Sequence, residues 1–565
     1  MIDLLIRAGT VVDGTGAAPF QADVAVSEGR VAAIERRIDA DAAEVIDATG
    51  RHVTPGFVDV HTHYDGQATW DPIMAPSAWH GVTTAVMGNC GVGFAPADPS
   101  RHGWLIELME GVEDIPGAAL SEGITWQWET FPEYLDELER LGRTIDVAAQ
   151  VPHGAVRAYV MGDRGATTGP ATETELAEMA RIVAEGTEAG AVAFSTNRLP
   201  LHTSLSGVPV PGTFADHREL AAMMDELSGR SLVEVVPAGS MGEDPDAPIR
   251  EVELFRRLSE EAGRAITFTM VQVHANPDQW RRQMELVEQA NAAGAKLVPQ
   301  VQGRPGGLLA GWDQFNPFAK RSAYRRHDHL PLEERLVELR RPEVRTEILA
   351  EDIPGDPAMG ILRHSLHATF PFDGGPVFEP DPSQSVAAMA DRTDEDRLGL
   401  LYDLMCERGM LQVFFTGYRH GDLEDLREMM VHPMSVVGLA DGGAHCRVIS
   451  DASLPTFMLE HWVRDRRRGP KLSVAEAVKM LTSEPAELYG FDDRGVLDTG
   501  KRADINVIDL EGLRLDLPEM VGDLPTGARR LLQTASGYDA TICAGEVTFR
   551  NGQTTGARPG TLIRN

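Results

Sequence analysis

Short apolar runs alternating with amphipathic stretches through most of a 565-residue chain constrain its fold more than any other feature. The runs are Val58–His63, Thr83–Cys90, Asp146–His153, Ala191–Thr196, Leu232–Val236, Ile266–Val273, Lys296–Gln302 and Val436–Asp441. Between them lie helical stretches such as Glu173–Ala189 and Pro277–Ala293, the order of repeated β-α units. Eight such strands predict an α/β fold, a (β/α)8 TIM-like barrel whose chemistry gathers at the C-terminal strand ends. Leu411–Phe415 is a ninth candidate strand, so the count is not clean.

Both chain ends have a different texture. Residues 1–53 carry short strand-like runs separated by turn signals, and the pattern returns in Ala503–Asp509 and Thr541–Val547. One small β-sandwich domain formed from both ends, residues 1–54 and 496–565, accounts for this. Residues 55–495 then form the barrel. The charged, Pro/Gly-rich stretch of about 305–410 reads as an inserted helical segment, either a lid on the barrel mouth or a solvated surface.

Composition narrows the partners. With 86 acids against 52 Lys and Arg the formal net charge is −34, which repels phosphate backbones and argues against nucleic acid. No stretch approaches the roughly 18 uninterrupted apolar residues of a membrane span, so no membrane role is expected. The first residues, Met1–Arg7, do not read as a secretory signal, and four scattered cysteines fit a reducing cytoplasm. Self-association into a homo-oligomer is left open.

His61 and His63 end the first strand two residues apart, so both imidazoles point to one face. Cys90 ends the second strand between glycines, His153 the third, and Asp441 the last, before Gly442-Gly443. On a barrel these ends share one rim. Imidazole, thiolate and carboxylate together suit zinc, whose bound water is acidified toward neutrality. Asp441 is then the candidate general acid/base, moving a proton from water to the leaving nitrogen. His153 reads better as a pocket wall than as a ligand. His274, His432 and His445 are weaker candidates. Glycines 88, 91 and 93 lack the Gly-Lys-Ser/Thr of a phosphate loop.

These residues resemble the amidohydrolase superfamily, and specifically its N-acyl-D-amino-acid deacylase (D-aminoacylase) branch. The matching text is Thr54–His63, Gly81–Thr84 with Gly88–Gly91, Asp441–His445, and Asp493–Leu497 with Gly500–Asp504. The resemblance implies a metal-dependent amide hydrolase and carries the ligand roles to His61, His63, Cys90 and Asp441. It breaks at strands five and six, where the family's histidines are absent and Glu234 and His274 are candidate substitutes. No lysine ends the fourth strand, so one zinc ion is expected rather than two.

A deacylase of N-acyl amino acids needs a cation for the substrate carboxylate. Arg198, Arg304 and Arg447 follow strands four, seven and eight and are the candidates, with His153 and His445 beside them. The expected substrate is a small-molecule linear amide, an N-acyl (D-)amino acid. A cyclic amide or ureido substrate, or a metal-poor barrel acting as a binding protein, are the competing readings.

Overall fold

The computed structural model describes residues 2–354, 357–372 and 377–565. Among these, the eight predicted runs form one parallel sheet in which each strand pairs with its sequence neighbour. The strands are Phe57–Thr62, Val82–Met87, Asp146–Pro152, Ala193–Asn197, Leu232–Val236, Ile266–Met270, Leu297–Gln302 and Val436–Gly438. The first five are buried at every residue, because helices cover the outer face and side chains fill the interior. The last strand is short. Closure onto the first continues through its loop, where Asp441 N–H donates to the His61 carbonyl (3.1 Å) and His63 N–H donates to the Gly442 carbonyl (2.7 Å). The same segments that shut the barrel therefore carry the candidate site residues.

Several strands stop earlier than the apolar pattern suggests. Cys90 lies three residues past its strand and Asp441 three past the last, both in left-handed conformations (φ 57° and 49°). Leu439 and His445 share that conformation (φ 62° and 48°). Non-glycine residues adopt it at a cost, and such strain persists only where the surroundings enforce it. Four strained residues at one end of a barrel mark that end as specialised.

Strands from both chain ends form a separate sheet, nine-stranded among the described residues. The join is made by Ile505–Ile508, which pairs antiparallel with His52–Pro55 and also with Tyr538–Cys543. Leu4, Ile6, Val24, Val26, Val53, Ile505, Val507 and Ile542 form its buried core. The barrel contacts this region through a buried ionic knot. Asp146, at the start of the third strand, accepts from Arg494 Nη1 (2.6 Å), Arg502 Nη2 (2.9 Å) and Thr561 N–H (2.7 Å).

The ninth candidate strand does not join the barrel. Met410–Phe414 instead pairs antiparallel with Gly307–Gly311 and Thr369–Pro371, a three-stranded sheet at the base of the inserted segment. That segment is not helical alone. It packs its own core, with Trp312 against Phe318, Tyr324 and Tyr402, and helices such as Leu332–Leu339 and Arg397–Arg408 around it. No helix among the described residues is long and apolar enough to cross a membrane.

Candidate metal centre and its cavity

Strand alternation puts His61 and, one residue past the strand end, His63 on the same side of the barrel wall. Their Nε2 atoms lie 3.5 and 3.8 Å from Cys90 Sγ, and the three donors fall within 4.8 Å of one another. Asp441 Oδ1 lies 3.4 Å from His61 Nε2 and 3.7 Å from His63 Nε2. Zinc–nitrogen bonds near 2.0 Å and zinc–sulfur bonds near 2.3 Å, set tetrahedrally, separate the donors by about 3.3–3.6 Å. The separations to His61 match that spacing and those to His63 stand slightly outside it, so these residues fit one ion after a small closure.

The surrounding groups hold the donors in place. His61 Nδ1 is 3.1 Å from Gln300 Oε1 and 3.9 Å from Glu234 Oε1, while Glu234 Oε2 accepts the Cys90 N–H (3.1 Å). His63 Nδ1 faces Glu113 Oε1 at 3.5 Å, and Glu113 Oε2 lies 3.6 Å from His445 Nε2. Such carboxylate and amide partners behind imidazoles fix ring orientation and tautomer. Gly91 makes the Cys90 turn feasible. It sits at φ +64°, and a Cβ there would stand 2.7 Å from the Asn197 backbone nitrogen.

Electrostatics point the same way. Burial lowers the His61 imidazole to about 4. Burial opposes charge on His63 as well, yet Glu113 and then Asp441 hold it up at about 9. Burial pushes Glu234 up to about 8 and the Cys90 thiol well above its ordinary value. Asp441 stays far below the carboxylate range despite its desolvation, because His63 and His61 stabilise its charge. Glu113 Oε1, Glu234 Oε1 and His63 Nδ1 are buried without a hydrogen-bond partner among the described residues. Imidazole, thiol and carboxylate donors that face one another at 3.4–3.8 Å, backed by further buried acids, form a site that attracts a cation.

The cluster floors a cavity of about 280 Å3. Asp441 is the accessible member, with 27% of its side chain exposed against 2% and 1% for His61 and His63. His445, Asp451 and His202 also line the space. Burial lowers His202 to about 3, and its Nδ1 has no hydrogen-bond partner among the described residues. Gly307, Leu308 and Phe415 supply a wall from the inserted segment and the residue after its last strand.

Not every candidate converges here. Glu234 and His445 arrive; His274 does not, since its Nε2 meets the Tyr418 carbonyl (2.8 Å) and its ring sits beside His367. Among the described residues the sixth strand offers the cavity Thr269, and the residue just past its end, Val271, follows. His153 is fully buried outside the cavity, between Thr196 Oγ1 (2.8 Å) and Glu219 Oε1 (3.0 Å), and opens the helix His153–Met161. His432 pairs with Glu288. The three arginines are committed to protein partners. Arg198 is bidentate to Glu251 and also reaches the Ala215 carbonyl. Arg447 binds Asp114 at 2.8 Å, and Arg304 binds the Ser450 carbonyl, Ser453 Oγ and Asp451. Glu113, Gln300 and His202 escaped the sequence reading. They lie at a helix end, inside a strand and in a loop, with no spacing that ties them to His61.

Barrel and site together define a class: residues 44–549 match the model of the Amidohydrolase family, and the chain belongs to that family. It is an amidohydrolase. Over 98% of its length it is 29% identical to 92% of an uncharacterised Mycobacterium tuberculosis protein. It is 26% identical to the N-acyl-D-aspartate deacylase of Alcaligenes xylosoxydans xylosoxydans, covering 99% and 95% of the two chains. The solved N-acyl-D-glutamate deacylase of Bordetella bronchiseptica, complexed with zinc and a phosphonate inhibitor, shares the fold. The TM-score is 0.67 at 24% identity, over 100% of both chains. The D-aminoacylase-like branch read from the sequence is thus where these similarities fall.

Proposed function

We propose that the protein hydrolyses a linear C–N amide bond of an N-acylated small molecule, using one zinc ion held by His61, His63 and Cys90 with Asp441 beside it. The observation that carries this reading is the convergence of those four donors at zinc-like spacing on the floor of an open cavity. Zinc there supplies Lewis acidity, polarising the amide carbonyl and acidifying water.

The chain's own groups supply the rest. Asp441, ionised and solvent-accessible, takes a proton from the attacking water and passes it to the leaving nitrogen. The C–N bond breaks as the C–O bond forms, giving a carboxylic acid and an amine. Glu113 and Gln300 orient the two imidazoles, and Glu234 anchors the Cys90 loop through its backbone. N-acyl-D-amino acids are the substrates of named relatives and the first compounds to assay. A cytoplasmic location fits the cysteine usage.

The test is metal content and turnover in two proteins. Wild-type chain purified without added metal should hold about one zinc. Asp441→Asn should keep that zinc through the other three donors and lose about 10^2–10^4-fold in kcat. Full activity in Asp441→Asn would remove this residue from the mechanism, and failure of wild-type protein to take up zinc would remove the mechanism itself.

A further inference from the structure

The cavity lacks what an N-acyl amino acid would need. Among the described residues, no lysine or arginine lines it. Arg304 lines an adjoining pocket that shares Leu308, Ile449 and Asp451 with this cavity, but it is buried, held by the Ser450 carbonyl and Ser453 Oγ, 3.4 Å from Asp451, and flanked by Phe378 and Phe457. Arg304 and Asp451 already neutralise each other. Arg198 and Arg447 are likewise held in ion pairs outside the cavity.

The charged groups that do face the space are mainly anionic. Glu113 and Asp441 line it, as does Asp451, whose charge Arg304 offsets. Two of the imidazoles are engaged, His63 between Glu113 and Asp441 and His445 against Glu113, and burial keeps His61 and His202 uncharged. The remaining wall is mostly apolar, with Leu199, Val236, Met241, Val271, Leu308 and Phe415, broken by the uncharged polar side chains of Ser240, Thr269, Gln302 and Thr416. A substrate carboxylate placed there would be desolvated, without a lysine or arginine to pair with, and close to Glu113 and Asp441, each of which opposes binding. Apolar substituents would be buried favourably on the same walls.

We propose that the substrate is an uncharged N-acyl amine with an apolar amine-side group and no carboxylate next to the scissile amide. This rests on the amide-hydrolase reading given above and narrows it, away from the acidic substrates of the named deacylases.

The experiment uses the full-length zinc-loaded protein and matched probes. N-acetyl-D-leucine, N-acetyl-D-leucinamide and N-acetyl-isoamylamine share acyl group and side chain and differ only in the carboxylate; each is also offered with butanoyl and octanoyl groups. Amine release gives kcat/KM. The two neutral series are expected to exceed the acid by about a hundredfold, the scale of leaving a buried charge unpaired. Equal or faster cleavage of the acid overturns the inference while leaving the hydrolase reading intact. No cleavage of any member by protein holding one zinc per chain overturns the hydrolase reading, and this inference with it.

Discussion

Replacing Cys90 by alanine tests the centre most directly. The thiol is buried 3.5 and 3.8 Å from the two Nε2 atoms, and no second cysteine joins this donor group among the described residues. A four-donor structural zinc site binds with about 10–16 kcal/mol, so each donor supplies on the order of 3 kcal/mol. Losing one of the four donors here should weaken zinc roughly 10^2–10^3-fold. Competition against a chromogenic chelator at one fixed pH measures this, with circular dichroism to show that the fold is kept. Cys406→Ala is the control. It removes a buried thiol from the core of the inserted segment and should leave zinc affinity unchanged. Wild-type affinity in Cys90→Ala, with one zinc still bound, would refute the assignment of the trio as the site.

Other outcomes follow from the same geometry. Gly91→Ala should reduce zinc affinity without touching a donor, because the added Cβ meets the Asn197 backbone and strains the φ +64° turn beside Cys90; unchanged affinity would show that the turn tolerates it. Asp146→Ala removes the nearer of the two buried carboxylates that Arg494 and Arg502 share, leaving them Asp504 at 3.9 and 3.4 Å, and should cost about 3 kcal/mol, read as a lower urea midpoint. Burial lowers His80, bonded to Thr456 Oγ1 and the Gln533 carbonyl, from 6.5 to about 4. The unfolded chain binds the proton more readily, so this stability is complete above pH 6.5. It drains as pH falls from 6.5 toward 4, by on the order of 3 kcal/mol in all. His80→Gln should flatten that part of the urea-midpoint profile relative to wild type, and a superimposable profile would exclude His80 as its source.

The barrel was legible because its strands are buried on both faces and appear as continuous apolar runs whose order in the chain is their order in the sheet. Leu411–Phe415 misled for the same reason: an apolar run reports burial, not which sheet receives it, and this one pairs within the inserted segment. His61, His63, Cys90 and Asp441 were also readable, since period-two alternation and strand-end position are local properties of the backbone.

What the sequence by itself determined is therefore the barrel, the sheet shared by both chain ends and which four side chains meet at the strand ends. Tertiary structure alone decided what surrounds them. Glu113, Gln300 and His202 reach the centre from a helix end, a distant strand and a loop, and Glu234 took its place only when the register of its strand was fixed. It also decided the arginines. Arg198, Arg304 and Arg447 look alike in a chain, but a cation's availability depends on which carboxylates and carbonyls lie within reach, and Glu251, Asp451 and Asp114 had already claimed them. Pairing of charges is set by distances across the folded molecule, which no spacing along the chain records.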